Sequence, residues 1–257
     1  RGMKRYTGKY LYNPRLPTVV VVSHEASQTG APILALNICH EMSKEANVIA
    51  MLMSGGSLIE GFRENAIAVL QPKQGPAFDK LLTKEIRRLV DKDWPEYAIV
   101  NSIVSSSYIQ PLRKSGIAVL TLIHEFSAYI RPIDLLSNVG LWSNRLIFSS
   151  KLTSDDLVNV NPQLKSAQKE ILPQGRCNEL LVAATEISQQ NAGDDATTYL
   201  KELNSDEILI LGAGQIQPRK GIDLFVSVAH HMKENYPNQN IKFAWIGDGY
   251  DPINDFN

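Results

Sequence analysis

The sequence predicts an α/β protein with a doubly wound parallel sheet, and three observations carry that expectation. Short apolar runs alternate along the chain with longer stretches of helical periodicity. The runs are apolar at nearly every position, as strands covered on both faces must be. Most of them end in polar residues or glycine, where the chain would turn at the edge of a sheet.

The candidate strands, in order, are PTVVVVS from Pro17, NVIAMLM from Asn47, AIAVL from Ala66, YAIVN from Tyr97, IAVLTLI from Ile117 and RLIFSS from Arg145. Together they fit one doubly wound domain. Between the first two, Ala31, Leu34, Ala35, Ile38, Cys39 and Met42 fall at i, i+3, i+4 spacing and predict one apolar stripe facing the sheet. Phe78, Leu82, Ile86 and Leu89 repeat the pattern later. Pro32 marks the first turn of the first helix, and Ser154 or Asp155 marks the start of another before DLVNV.

After KEILPQGRC the character changes. The stretch from Ser188, SQQNAGDDATTYLKELNSDE, is polar and holds no strand pattern, so it reads as a connection between domains. A new unit opens near Glu207. ILILGAG reads as a buried strand, KGIDLFVSVAHHMKEN as a helix with Ile222, Phe225, Ala229 and Met232 on one side, and IKFAWIGDG as a second strand. This is one βαβ unit, too small to close a domain because its helix covers part of one face only. The expected division is therefore 1–187, a linker at 188–206, and a partial second domain at 207–257. No sequence repeat is evident.

Composition narrows the function. The chain has 257 residues, 44% of them hydrophobic and 21% charged, which is the profile of a globular protein. Its 26 basic and 27 acidic residues leave a formal charge of −1, with no bulk attraction for nucleic acid or an anionic membrane, so any anion site must be local. Cys39 and Cys177 form no metal-binding pattern, and together with the absence of a signal-like apolar start this favours a cytoplasmic setting without a structural metal.

Three segments can carry chemistry. SHEASQTGAP, residues 23 to 32, joins the first strand to the first helix, where ligands of open α/β sheets bind and a helix N-terminus attracts anions. Gly30 would let the backbone approach a phosphate or sugar, and His24 is a polar ligand candidate beside it. The segment also fits a plain strand-to-helix turn. ILGAGQIQPRKG, residues 210 to 221, holds the matching position in the second unit. Gly214 permits close approach there, and Arg219 and Lys220 sit where the helix starts, a placement that opposes the helix dipole unless an anion lies between. Two solvated surface charges would be the plain alternative. GAGQIQ begins like the dinucleotide fingerprint G-x-G-x-x-G but has Gln217 at the third glycine. The third segment, TLIHEFSAY, puts His124 and Glu125 at the carboxyl end of a strand, facing the crevice. Asn101 and Ser102, and the pair Gly55–Gly56, have similar addresses.

These pieces, in this order, resemble the retaining glycosyltransferases of family 4, which have the GT-B fold. The resemblance rests on SHEASQTGAP, the GG after the second strand, TLIHEF, ILPQG, and above all GAGQIQPRKGIDLFVSVA followed by WIGDG. It implies a complete Rossmann-like acceptor-side domain and the first part of a second Rossmann-like domain that binds the donor. It further implies transfer of a sugar from a nucleoside diphosphate to a glycan or lipid-linked acceptor, in cell-surface polysaccharide or glycoconjugate synthesis. On this reading Lys220 and Arg219, with Gly214 and Gly30, would neutralise the donor diphosphate. His124 would stand near the transferred sugar as the catalytic residue, and His24, Gly55, Asn101 and Glu125 would contact sugar or acceptor. No cofactor, metal or nucleic acid is expected, and a lipid-linked acceptor would bring peripheral association at the inner face of the membrane. The family often has arginine where Gln215 stands, and its acidic pair E-x7-E has no counterpart before Asn257, so the fragment alone is expected to be inactive and its longer parent to be the enzyme. A nicotinamide-dependent oxidoreductase and a non-catalytic binding module remain open as alternatives.

Overall fold

The computed structural model describes residues 2–72, 78–90, 94–177, 207–216 and 220–247. Of the sequence expectations, the linker at 188–206, Arg219 and Gln217 lie outside the described residues, as does the GDG motif beyond Gly247. The chain divides into two compact units, 1–187 and 188–257.

The first unit is built on an eight-stranded sheet in the order β1-β4-β3-β2-β5-β6-β7-β8. The six runs expected from the sequence are β2 (Thr18–Ser23), β3 (Asn47–Leu52), β4 (Ala68–Pro72), β5 (Tyr97–Asn101), β6 (Ala118–Ile123) and β7 (Arg145–Phe148). All pair in parallel, with β2 flanked by β3 on one side and β5 on the other. Chain order reverses direction between β2 and β5, which opens a crevice beyond their carboxyl ends.

Two further strands complete the sheet. β1 (Met3–Thr7) pairs antiparallel with β4, and β8 (Lys169–Ile171) extends the other edge beside β7. Both are edge strands, short and largely exposed, so they lack the continuous apolar pattern of the inner ones.

Alternate residues of each strand feed separate cores. Val20, Val22, Ile49, Met51, Val100 and Val119 pack on one face, with Leu82 and Ile86 of α3 (Phe78–Val90) and Leu112 of α4 (Ile109–Lys114). Leu136 and Val139 of α5 (Leu135–Trp142) and Leu157 of α6 (Lys151–Val160) extend this cluster. On the other face Val19, Val21, Ala50 and Leu52 pack against α1 (Gly30–Met42) and Phe62 of α2 (Ile59–Glu64).

Two details of the helices differ from the sequence reading. In α1 Leu36, outside the expected stripe, is fully buried beside Ala35 and Cys39, so the inward face is wider than the stripe, while Ile38 and Met42 pack partly buried against the same core. Leu34, Ile38 and Met42 also line an open apolar groove with Ile99, Leu120, Leu122 and Ile147 of the neighbouring strands. The helix α6 starts at Lys151 rather than after Ser154, because the Ser150 hydroxyl accepts the Thr153 N–H at 3.1 Å and caps it one turn earlier.

The second unit shows the expected βαβ order: β9 (Ile208–Ala213), α7 (Ile222–Asn235) and β10 (Ile241–Ile246). The strands pair in parallel, Ile208 opposite Ile241 through Ala213 opposite Ile246. Ile222, Phe225, Ala229 and Met232 are the half-covered positions of α7, as their spacing predicts, and Phe225 meets Phe243 and Trp245 edge-on at 5.5 and 5.3 Å. β9 is not the buried strand its sequence suggests: Ile208 is 58% and Leu211 51% exposed. The described residues place one helix against this strand pair, and an apolar strand is buried only where both faces find cover. Among the described residues no helix of either unit is long and apolar enough to cross a membrane.

Candidate functional site

The carboxyl ends of β2, β5 and β6 converge in the first unit, and the polar residues that end these strands form one hydrogen-bonded constellation. Asn101 closes β5, is fully buried, and donates from Nδ2 to the Ala31 carbonyl in the first turn of α1 at 2.6 Å. That bond ties the crevice together across the switch in strand order. It also turns Asn101 Oδ1 toward β6, where it meets His124 Nε2 at 2.8 Å. Gln174, on the segment that follows β8, places its amide nitrogen against the other ring nitrogen, Nδ1.

Glu125 is held from two sides. One carboxylate oxygen accepts the His124 backbone N–H at 3.0 Å, and the other accepts the Ser102 hydroxyl. Ser102 has φ 72°, the one non-glycine residue with positive φ among those described. Such a backbone is disfavoured by about 1–3 kcal/mol and persists where surrounding contacts impose it. Here the strand end, the Glu125 bond and the Val104 N–H accepted by the same hydroxyl at 3.2 Å all fix it.

Burial pushes the His124 proton affinity below its ordinary value of 6.5, with the negative charge of Glu125 opposing the shift in part. The ring is therefore neutral at pH 7. A neutral folded histidine that takes up a proton on unfolding makes stability rise with pH up to the unfolded value and fall below it. Chemical denaturation of the chain at pH 7.5 and pH 5.5 should accordingly show lower stability in acid, and His124→Ala should remove part of that difference.

The β2–α1 loop borders the same crevice. Its hydroxyls and carboxylate bond to each other: Ser27 donates to Glu25 at 2.6 Å and lies 2.9 Å from the Thr29 hydroxyl. His24 Nε2 stands 3.5 Å from Glu25, while its Nδ1 is buried with no hydrogen-bond partner among the described residues. Gly30 is the first residue of α1, and nothing lies within 4 Å of the place a Cβ would take, so protein packing does not require a glycine there. Its N–H belongs to the positive end of a 13-residue helix.

The loop after β3 buttresses this segment. Gly55 O accepts the Ala26 N–H at 3.4 Å, and the Leu58 N–H bonds to Ala26 O at 2.8 Å. Close approach is needed at Gly56 rather than Gly55: a Cβ on Gly56 would sit 2.2 Å from the Ala26 carbonyl oxygen, whereas one on Gly55 would meet side chains alone, Ile59 Cδ1 at 3.4 Å and Gln71 Nε2 at 3.8 Å. Gly56→Ala should cost about 2–4 kcal/mol because backbone must move. Gly55→Ala should stay within about 0.5 kcal/mol. Urea midpoints of the two variants measure the difference.

The second unit carries its own polar cluster at the carboxyl ends of β9 and β10. Gly214 has φ 144°, donates its N–H to Ile246 O at 2.9 Å, and accepts the Trp245 indole N–H at 2.8 Å. A Cβ on Gly214 would lie 3.7 Å from the Lys220 side chain, so these two residues are neighbours. Gly247 is packed so tightly on Gly214 O that a Cβ there would overlap it at 1.8 Å. Lys220 is exposed, enters no ion pair among the described residues, and precedes the left-handed Gly221 that opens α7. Asp223 in the first turn complements the helix dipole, whereas Lys220 does not.

The residues proposed from sequence thus fall into three groups. Asn101, His124 and Glu125 are bonded together; His24, Gly30 and Gly55 lie on the two loops beside them; Gly214 and Lys220 are paired in the second unit. Sequence reasoning missed Gln174, Glu25, Trp245 and Gly247. The ILPQG and WIGDG segments held three of these, but nothing in their spacing marked which residue reached back to a partner.

No protein-family model and no curated protein matches the sequence. Solved structures do match. The Anabaena protein HepE in complex with UDP-glucose superposes with TM-score 0.65 at 9% identity, over 93% of this chain and 63% of that one. Trehalose-6-phosphate synthase OtsA gives 0.56 at 16% identity, over 90% of this chain and 65% of that one. The α,α-trehalose 6-phosphate synthase of Burkholderia multivorans gives 0.60 at 10% identity, over 91% and 64%. The chain spans less than two thirds of each of these proteins. Its fold is the GT-B type of glycosyltransferases, Rossmann-like in both units.

Proposed function

We propose that the protein to which this chain belongs is a glycosyltransferase that takes a sugar from a nucleoside diphosphate and transfers it to a glycan or lipid-linked acceptor, with retention at the anomeric carbon. The observation that carries the reading is the pairing of Gly214 with Lys220, which enters no ion pair among the described residues, at the head of α7. A cation beside the positive end of a helix dipole is unfavourable alone, and an anion placed there relieves both. The fold supports it, since HepE, with the same fold, binds UDP-glucose.

In this role Lys220 and the helix N-terminus oppose the charge that grows on the diphosphate as the bond to the anomeric carbon breaks. Groups aimed at developing charge are the largest single contribution in many enzymes. Gly214, without a side chain and with φ 144°, leaves room for phosphate oxygens beside the Lys220 stem. Arg219 is proposed as the second cation. His124, neutral and fixed by Asn101, is the group proposed to hold the transferred sugar, with Glu125 and the His24 loop on the acceptor side. This division makes unit 1–187 the acceptor-side domain and the residues from 207 on the donor-side one.

The test supplies the full-length parent with UDP, GDP and dTDP sugars and follows products by proton NMR. The reading expects turnover or slow donor hydrolysis with at least one donor, and a product of unchanged anomeric configuration. An inverted product removes retention, and failure to consume or bind every donor removes the function.

A further inference from the structure

The two ring nitrogens of His124 are both occupied by protein groups whose hydrogen-bonding sense is fixed. Asn101 Nδ2 donates to the Ala31 carbonyl at 2.6 Å, which only the NH2 end of the amide can do, so the atom facing His124 Nε2 is an acceptor. Nε2 must therefore carry the proton. A neutral imidazole has one N–H, so Nδ1 presents a lone pair, and the group opposite it must donate. Gln174 satisfies this with its amide nitrogen. The orientation of all three side chains follows from one anchored bond.

The two partners differ in how firmly they stand. Asn101 is fully buried at the end of β5. Gln174 is exposed, on the segment beyond a three-residue edge strand.

Resting on the glycosyltransferase reading, we propose that Asn101 and Gln174 are the positioning residues of His124: Asn101 locks the Nε2–H tautomer, and Gln174 is an exchangeable cap on Nδ1 that a ligand hydroxyl displaces. The consequence is a rule of specificity. Whatever takes the place of the Gln174 amide must itself be a hydrogen donor, a hydroxyl or an N–H. A phosphate or carboxylate oxygen would set lone pair against lone pair. His124 therefore reads the hydroxyl-bearing part of a substrate, and the diphosphate is left to the cationic group at Lys220. Glu125, the charged residue whose field acts on the ring, bonds to the His124 backbone and to Ser102 and does not occupy either ring nitrogen.

The experiment is imidazole 15N NMR on the labelled 257-residue chain and three variants. The wild type should show a pyrrole-type Nε2 and a pyridine-type Nδ1 for His124. Gln174→Ala should keep this tautomer. Gln174→Glu puts a carboxylate against Nδ1 and should raise the titration midpoint by about 1–3 pH units. Asn101→Leu should collapse the spectrum to mixed tautomers; if that buried change unfolds the chain, the exposed Gln174 variants still decide the matter. A proton on Nδ1 in the wild type, or an unchanged titration in Gln174→Glu, would overturn the proposal. These signals do not depend on turnover. A confirmed tautomer in a parent that ignores every nucleotide sugar would retire the glycosyltransferase reading and leave the relay standing.

Discussion

His124→Ala in the full-length parent should lower kcat/KM for sugar transfer on the order of 10²-fold, the scale seen when one preorganised polar group is removed from a reacting centre. The fold should survive. His124 follows the last residue of β6 and lies outside both apolar clusters, so no core cavity forms. What is lost is a pair of side-chain hydrogen bonds, one of them leaving the buried Asn101 Oδ1 without its partner. That costs about 1–3 kcal/mol, enough to move an unfolding midpoint but not to abolish folding. Kinetics and denaturation on the same preparation check the two halves together. Unimpaired turnover in a folded variant would make this constellation structural only.

Lys220→Ala should have the opposite balance, with almost no effect on stability and a large one on the donor. Its side chain is exposed and unpaired among the described residues, so stability should change by less than about 0.5 kcal/mol. Against a diphosphate the same ammonium forms charge-assisted bonds that strengthen as the leaving group gains charge, and their loss should lower kcat/KM about 10²-fold. Lys220→Arg keeps the charge but changes its shape, and should recover part of the activity. Because the contact is exposed, the wild-type advantage should shrink as salt rises. Equal activity of the wild type and Lys220→Ala at low salt would remove the anion site.

Much of this architecture is legible in the sequence because the inner strands are covered on both faces. Val19 to Val22 and Val48 to Leu52 read as unbroken apolar runs, and every residue in them is at most a few percent exposed. The edges escape that rule. Met3–Thr7 reads as a basic start, since Lys4 and Arg5 point at solvent while its hydrogen bonds go to β4. Helix periodicity identified α1 but not its full inward face, since Leu36, outside the stripe, is buried as well.

The site was legible for a different reason. Residues that end parallel strands share one rim of the sheet, so Asn101 and His124 could be placed side by side from strand endings alone. Gln174 could not. Its reach to His124 depends on β8 adding to the edge beside β7, and three exposed residues leave no periodic trace of that pairing. The Gly55–Gly56 pair signalled a close approach without saying which glycine meets the Ala26 carbonyl. In the second unit the apolar run of β9 identified a strand correctly and its burial incorrectly, because burial depends on neighbours that sequence within the run does not contain.

The most direct test of the central claim is a competition titration on the full-length parent, with wild type and Lys220→Ala side by side. UDP, GDP and dTDP sugars are added in turn, and NADH fluorescence serves as the counter-probe for the dinucleotide alternative. The account predicts saturable binding of at least one nucleotide sugar, displacement by the matching nucleoside diphosphate, weakening in Lys220→Ala, and no saturable binding of NADH. Saturable NADH binding with indifference to every nucleotide sugar would contradict it.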